Sequence, residues 1–195
     1  MKEQKYEDLI AFHGHACPGL AIGYRVAKAA LRELSARRSE DEEFVAIVEN
    51  NACGIDAIQL LCGCTAGKGN LIFRDNGKHV YTFFNRKTKK GVRIYADTFY
   101  MNDDLDKRFV ELSRKRNLTA ADKKELADIR EKRIKSVLEF PEEDLLKISS
   151  PKREYPERAR IFNSVICEEC GERVMETRIK RKDGRSLCNE CCGFS

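Results

Sequence analysis

Residues 71–97, LIFRDNGKHVYTFFNRKTKKGVRIYAD, place three short apolar segments between groups of turn-forming residues. Segments rich in β-branched and aromatic residues and bounded by turn residues are typical of strands. The dipeptide Asn76-Gly77 is a strong hairpin signal, and KTKKG can form a second turn. We therefore predict an antiparallel meander of three strands over this stretch.

The residues before the meander predict two helices, a strand and a further short helix. Residues 4–13 space their apolar positions as a short helix does, and Pro18 suits the first turn of a second helix. FVAIVEN, residues 44–50, has the composition of a strand, and GIDAIQLLC, residues 54–62, predicts the short helix. Helices packed on an antiparallel sheet define an α+β core domain over residues 1–102.

Residues 103–160 differ in composition, with 16 lysines and arginines against 14 acidic residues. Thr119 followed by Asp122 matches the start of a helix, and EEDLLKI, residues 142–148, predicts a short helix. We expect a charged helical linker over this range, followed by a small zinc ribbon or treble-clef-like module over residues 161–195.

The C-terminal module contains two C-x2-C pairs, Cys167 with Cys170 and Cys188 with Cys191. Such pairs form tight turns whose sulfurs face one tetrahedral ion, and four soft thiolates favour zinc over hard cations. Four thiolates fill the coordination sphere, so the predicted Zn²⁺ site is structural. Cys192 adjoins the second pair and could substitute for Cys191, but the C-x2-C spacing selects Cys191 as the fourth ligand.

The seventeen residues between the two pairs predict a β-hairpin that turns at Asp183-Gly184. Basic side chains near its tip are candidates for phosphate contacts, although a solvated hairpin tip is at least as good an interpretation. These side chains are Lys180, Arg181, Lys182 and Arg185.

A second group of metal-ligating residues lies near the N-terminus, where His13, His15 and Cys17 alternate in AFHGHACPG. In an extended stretch all three side chains project to one side, where they could share an ion. Cys17 also precedes a predicted helix, whose dipole favours the thiolate. We therefore predict a core metal site of unknown metal, with Cys17 and His15 as candidate catalytic residues; a purely structural role is the alternative.

The short helix over residues 54–62 brings further candidates. Cys53 lies where the strand gives way to this helix, a common location for functional groups, and Cys62 and Cys64 lie at its far end. We include Cys53 and Cys62 among the candidate ligands of the core metal site, with Cys64 as the alternative to Cys62.

Three polar residues in this region are candidate contacts to an anionic ligand. Asp56 and Gln59 share one face of the short helix, and Lys68 lies in the loop AGKGN. GCTAGKGN lacks the order G-x-x-x-x-G-K-[ST] of a phosphate loop, because Gly69 occupies the hydroxyl position. Nucleotide binding is therefore not predicted.

The composition limits the class of protein. No apolar run approaches the roughly 18 residues of a membrane-spanning helix, and the charged N-terminus is unlike a secretory signal. We expect a cytoplasmic protein without a membrane partner, in which nine cysteines serve as metal ligands or thiols rather than disulfides. The net charge of +5 is spread thinly, so it gives only weak support for a nucleic-acid partner.

The motifs FHGHACPGLAIGYR, CGIDAIQLLCGCTAGKGNL, CEEC and CNEC resemble, in this order, those of the FmdE-like family of formylmethanofuran dehydrogenase proteins. The resemblance covers nearly the whole chain. It implies an α+β core that commonly forms a homodimer, and often a zinc ribbon after it. It also implies a His/Cys cavity formed by His13, His15 and Cys17 with Cys53, Cys62 and Cys64.

The same resemblance implies an association with a molybdenum or tungsten enzyme of methanogenesis, which interconverts CO₂ and a formyl group on methanofuran. We favour a metal-binding protein of one-carbon or molybdenum/tungsten enzyme metabolism, whether as a component of that enzyme, an accessory protein or a stand-alone metalloprotein. The alternative is a zinc-finger regulator that binds nucleic acid or transcription machinery. A thiol redox enzyme using Cys62 and Cys64 is less favoured, because a C-x-C disulfide is strained.

Overall fold

A computed structural model describes residues 4–98, 104–152 and 155–193, and the chain divides into two compact units, Met1–Arg158 and Ala159–Ser195. The predicted domain boundary between residues 102 and 103 lies outside the described residues. The range expected to be a linker contributes its helices and a strand of the sheet to the first unit. It is therefore part of the core, and not a separate spacer.

The described part of the first unit is an α+β structure, as predicted. Its helices are α1 (Tyr6–His13), α2 (Pro18–Glu33), α3 (Gly54–Ala57, continued by a π-helical turn at Ile58–Cys62), α4 (Asp104–Arg114), α5 (Ala120–Glu139) and α6 (Glu142–Leu145). Its strands are β1 (Phe44–Val48), β2 (Leu71–Phe73), β3 (Val80–Asn85), β4 (Lys90–Ala96) and β5 (Leu146–Ser149). None of the described helices is long and apolar enough to cross a membrane.

The strand order is β2-β1-β3-β4-β5, and β1 pairs with β2 in parallel while the other neighbours are antiparallel. The predicted meander is therefore correct for β3 and β4 but wrong for β2, which lies on the far side of β1. All five residues of β1 are buried, which is the burial expected of a central strand.

The position of β2 follows from the helix that precedes it, which returns the chain to the edge where β1 begins. Asn70, fully buried just before β2, fixes this return. Its amide nitrogen donates to the carbonyl of Phe44 at 2.9 Å, and its amide oxygen accepts the N–H of Thr65 at 2.9 Å. Asn70 is thus a structural anchor for a parallel pairing.

The Asn76-Gly77 turn does not close a hairpin. The N–H groups of Asn76 and Lys78 both donate to the carbonyl of Glu49, at 3.1 and 2.9 Å. The turn therefore passes across the end of β1 and delivers the chain to β3 on its other side.

The short helix predicted over residues 142–148 is only partly present. Helix α6 ends at Leu145, and the next four residues form β5, in which Leu146 pairs with Ala96 of β4. Leu145 and Leu146 are both buried. The backbone of β5 pairs with β4, so the second half of the segment is a strand.

Helix α2 is the centre of the helical layer and packs against α1, α3, α5 and β4. The backbones of α2 and α3 come very close at Gly23 and Gly54, where a Cβ on Gly23 would lie 2.3 Å from the carbonyl oxygen of Gly54. Only glycine fits this crossing. The contact brings the N-terminal ends of the two helices together.

The second unit is small and built around cysteines. Its described elements are β6 (Ser164–Ile166), β7 (Arg173–Met175), a 3₁₀ turn (Glu176–Arg178), β8 (Lys180–Lys182), β9 (Arg185–Leu187) and α7 (Asn189–Cys192). Strands β8 and β9 form the predicted hairpin, with Asp183 and Gly184 both in the left-handed conformation that its tight turn requires.

Candidate metal centres

Four potential ligands converge at the ends of three helices in the first unit: His13, His15, Cys17 and Cys53. One donor atom from each lies within 4.8 Å of the others, and we call this group the core cluster. His15 is exposed, whereas the other three side chains are half-buried. Two imidazoles and two thiols are a donor set suited to Zn²⁺.

The local chain conformation explains how the core cluster forms. Helix α1 ends at His13 because Gly14 adopts a left-handed conformation, with φ of 93°. The chain then reaches Cys17, which is extended and caps α2. Cys53 is brought to the same place by the backbone contact between α2 and α3.

His13 is oriented by a carboxylate. Its Nδ1–H donates to Asp56 at 2.6 Å, and the other carboxylate oxygen of Asp56 accepts the amide N–H of Gln59 at 3.0 Å. A metal-ligating histidine characteristically donates a hydrogen bond from its second ring N–H to such a carboxylate. Asp56 and Gln59 were predicted as contacts to an anionic ligand; in the structure Asp56 holds His13, and Gln59 holds Asp56.

The remaining ring nitrogen of His13, Nε2, is buried and has no hydrogen-bond partner among the described residues. In the neutral ring, Nδ1 carries the hydrogen that it donates to Asp56, so the lone pair of Nε2 is available to a metal ion. An unpartnered buried nitrogen is costly unless something binds it. The residues present therefore fit a metal ion.

The pairing of His13 with Asp56 is not predicted by any motif above, although the sequence contains a signal for it. Cys53, Asp56 and Gln59 recur at intervals of three residues, which places them on one face of a helix. A candidate metal ligand and an acidic residue on one helix face indicate that the carboxylate orients a metal ligand by a hydrogen bond. The sequence does not show that this ligand is His13, forty-three residues away.

The thiol of Cys17 is not activated by its position alone. Burial raises the pKa of Cys17, and the neighbouring Cys53 raises it further, although the N–H of Leu20 donates to its sulfur at 3.3 Å and opposes this shift. This direction is opposite to the one that we expected from the helix N-terminus. Cys17 is therefore suited to releasing its proton to solvent when a cation binds its sulfur, and not to acting as a free thiolate nucleophile.

Cys62 and Cys64 are separate from the core cluster, which corrects the inclusion of Cys62 among its ligands. Both are completely buried in the hydrophobic core, at the far end of a helical segment roughly 14 Å long. Burial raises the pKa of Cys62, and it raises the pKa of Cys64 to about 12. These protonated, inaccessible thiols also argue against the thiol redox hypothesis.

Lys68 likewise lies away from Asp56 and Gln59. Its ammonium group donates to the backbone carbonyls of Ser39 and Glu40, both at 3.3 Å. It holds the loop before β1, so the three predicted anion contacts do not form one site.

The second unit brings together Cys167, Cys170, Cys188 and Cys191, whose sulfurs lie within 4.8 Å of one another. We call this group the finger cluster. The N–H groups of Cys170 and Cys188 lower the pKa of Cys167 to about 6, so this sulfur is readily a thiolate. Such N–H···S bonds within paired C-x2-C turns stabilise the charge that zinc requires.

Cys192 is outside the finger cluster, so the geometry selects Cys191 from the two alternatives. Cys192 is buried beside Leu187, and its carbonyl oxygen accepts a hydrogen bond from Lys182 at 3.3 Å. Its thiol belongs to the small apolar core of the unit.

The basic hairpin side chains have partners within the second unit. Arg185 binds the carboxylate of Glu169 and the carbonyl of Glu168, while Arg181 donates to the carbonyl of Gly184. With Lys182 bonded to Cys192, these side chains stabilise the hairpin, and phosphate contacts would have to displace those bonds.

Replacing Asp56 by asparagine is expected to weaken metal binding by the core cluster about 10- to 100-fold, because His13 loses its charged acceptor. Competition with a calibrated chelator measures the affinity. Asp75→Asn, which changes an exposed acid of the same unit, is the control and should bind as wild type does. Equal affinities for Asp56→Asn and wild type would show that Asp56 does not support a ligand.

The fold and these clusters define a two-unit protein with an α+β core and a C-terminal zinc-binding finger of four cysteines. The family model described as FmdE, of the molybdenum formylmethanofuran dehydrogenase operon, matches residues 12–147. The model of the prokaryotic dksA/traR C4-type zinc finger matches residues 160–194. The chain belongs to the FmdE family, and its C-terminal cysteines form a C4-type zinc finger.

Two further comparisons show proteins to which this chain is similar. A probable S-adenosyl-L-methionine-binding protein from Archaeoglobus fulgidus is 39% identical over 190 residues, which cover 93% of this chain and 50% of that protein. The chain therefore spans about half the length of this relative. The crystal structure of a tungsten formylmethanofuran dehydrogenase FmdE-like protein from Syntrophus aciditrophicus superposes with a TM-score of 0.64 at 27% identity, covering 100% of this chain and 98% of that one.

Proposed function

We propose that this protein binds a metal ion at the core cluster in addition to the zinc of its finger, and that the core metal is its functional centre. The observation that carries the proposal is the buried Nε2 of His13, which has no hydrogen-bond partner in the described parts of the chain, while Asp56 holds the ring. Structural finger sites are closed by four thiolates, whereas the core cluster mixes imidazole and thiol donors at the protein surface.

The donor set favours Zn²⁺ at the core cluster, because borderline-soft zinc accepts both thiolate sulfur and imidazole nitrogen. When bound, such an ion supplies a Lewis acid that binds and polarises a small ligand. In this arrangement His13 is a fixed ligand oriented by Asp56, and Cys17 and Cys53 supply the negative charge that offsets the ion.

We further propose that the centre serves one-carbon or molybdenum/tungsten enzyme metabolism. Membership of the FmdE family supports this assignment, and so does the similarity to a tungsten formylmethanofuran dehydrogenase FmdE-like protein. The partner would then be a molybdenum or tungsten enzyme, and the homodimer remains a prediction. S-adenosyl-L-methionine is a candidate small ligand, because the 39% identical relative is named for binding it.

Elemental analysis of the purified full chain tests the proposal. We expect two zinc equivalents per chain in wild type and one in the double variant Cys17→Ser with Cys53→Ser. Cys62→Ala, which removes a thiol of the same helical segment outside the cluster, is the matched control and should keep both. A single equivalent in wild type, unchanged in the double variant, would refute the core metal centre.

The same proteins serve for a ligand measurement. Calorimetric titration with S-adenosyl-L-methionine is expected to give binding to wild type that the double variant lacks. Binding that is equal in both proteins would place the ligand away from the core cluster. Heat of dilution alone in both would remove this ligand from the proposal without affecting the metal.

A regulator that binds nucleic acid is the second candidate, and its support is the match of residues 160–194 to a dksA/traR C4-type finger. The bonds of Arg181, Lys182 and Arg185 within the second unit make this candidate the weaker one. Binding of DNA or RNA at low salt that weakens steeply as salt rises would favour it.

A further inference from the structure

We propose that His15 is a displaceable ligand of the core cluster and that a small thiol takes the coordination position that His15 leaves. This inference rests on the proposed function, because it requires a metal ion at the core cluster. It concerns which of the four donors is exchanged and what replaces it.

Two of the other donors are held by groups outside the cluster, and the third is half-buried. Asp56 holds the ring of His13, and the N–H of Leu20 holds the sulfur of Cys17. Cys53 starts the helix that crosses α2 at the glycine contact. Donors oriented in this way lose little conformational freedom when a metal binds, so these three residues are the permanent ligands of the ion.

His15 has no comparable support. Its side chain is exposed, and neither ring nitrogen has a hydrogen-bond partner within the part of the chain that the structure describes. Its ring contacts only the ring of His13 among the described aromatic pairs, with centroids 4.5 Å apart. A lasting imidazole ligand normally donates its second N–H to a protein group.

The chain beside His15 leaves room for exchange. Gly14 precedes it, and a Cβ built on Gly14 would meet no atom of the described residues within 4 Å. The segment between α1 and Cys17 has no regular secondary structure. His15 therefore occupies the solvent side of the core cluster, where it can leave and a small molecule can approach.

The chemistry of the remaining ligands favours sulfur as the replacement. Zn²⁺ with the thiolates of Cys17 and Cys53 and neutral His13 has no net charge, so long-range attraction selects neither anions nor cations. The choice then depends on the affinity of the metal for the donor atom, and zinc binds thiolate strongly. The thiol sulfur forms a bond to the metal, the bond to His15 breaks, and the thiol proton passes to solvent.

A cobalt-substituted full chain tests this exchange, because thiolate ligands give Co²⁺ an intense near-ultraviolet charge-transfer band. The finger cluster also takes up Co²⁺, but its four thiolates leave no free position. The double variant Cys17→Ser with Cys53→Ser therefore provides the background spectrum. On titration with 2-mercaptoethanol, we expect a saturable increase of the band in wild type and no change in the double variant.

Two histidine variants separate the displaceable ligand from the fixed one. His15→Ala is expected to keep the core metal within about tenfold of wild-type affinity, whereas His13→Ala loses more than about 100-fold. If His15 occupies its position about 90% of the time, its removal tightens the binding of 2-mercaptoethanol about tenfold.

Equal loss of the core metal from His15→Ala and His13→Ala would overturn the proposal, because it would show that His15 is as firm a ligand as His13. So would a band that saturating thiol leaves unchanged in both wild type and His15→Ala. If the core cluster binds no metal, the result is different, because wild type then binds only one metal equivalent. Two equivalents without a response to thiol would refute the exchange alone.

Discussion

The Cys188→Ser variant is expected to lose the zinc of the finger cluster and, with it, the folded structure of Ala159–Ser195. Cys188 supplies one of the four sulfurs, and its N–H donates to the sulfur of Cys167 at 3.3 Å. The change therefore removes a ligand and alters the environment of another.

The reason for so large an effect is the size of the second unit's apolar core. Its buried hydrophobic residues are only Cys167, Leu187 and Cys192 among those described, with a few partly buried neighbours. Units below about 40 residues seldom fold without a metal, a disulfide or a partner. Zinc binding to a finger supplies about 10 kcal/mol or more, which is essentially the whole folding free energy of such a unit.

Zinc content and amide hydrogen exchange measure this outcome. We expect one zinc fewer per chain and loss of exchange protection in the second unit. All six tyrosines precede residue 159, so tyrosine fluorescence reports the first unit alone and should be unchanged. Cys192→Ser is the matched control, since Cys192 lies outside the finger cluster, and it should keep its zinc. Retention of zinc and protection by Cys188→Ser would contradict the assignment.

Gly23→Ala is expected to destabilise the first unit by about 3 kcal/mol and to lower metal binding by the core cluster. The new Cβ would lie 2.3 Å from the carbonyl oxygen of Gly54 and 2.4 Å from its Cα. Both are backbone atoms, so no change of rotamer relieves the overlap, and α2 and α3 must separate. Separation moves Cys17 away from Cys53.

Urea unfolding followed by tyrosine fluorescence measures the stability change, and chelator competition measures the metal affinity. Gly19→Ala is the control, because it lies one turn earlier on α2 and its new Cβ would make an ordinary 3.5 Å contact with Cys53. An unfolding midpoint for Gly23→Ala equal to that of Gly19→Ala would show that the helix crossing tolerates a side chain.

Features encoded by neighbouring residues were predictable from the sequence. The C-x2-C pairs predicted the finger cluster, and Asp183-Gly184 predicted the hairpin turn between β8 and β9. The capping box of Thr119 and Asp122 starts α5 as expected. In each case, the interacting groups lie a few residues apart or follow a fixed spacing, so local chemistry determines the outcome.

Features that depend on distant partners were not predictable. Asn76-Gly77 has the chemistry of a hairpin turn, but the carbonyl of Glu49 accepts its hydrogen bonds and β1 separates the flanking strands. The sequence places Cys53 and Cys62 at opposite ends of one helical segment, but it does not show that only the Cys53 end lies beside His13, His15 and Cys17. The pairing of His13 with Asp56 likewise depends on how α1 docks, which no short motif encodes.

The spread of the ligands along the chain distinguishes the two clusters in a further respect. The finger cluster draws its four cysteines from residues 167–191, so a short continuous segment holds every ligand. The core cluster draws on residues 13–17 and on Cys53, and the glycine crossing of α2 and α3 brings them together. The finger cluster could consequently be moved between proteins as one short segment. The core cluster could be moved only together with the whole α+β fold.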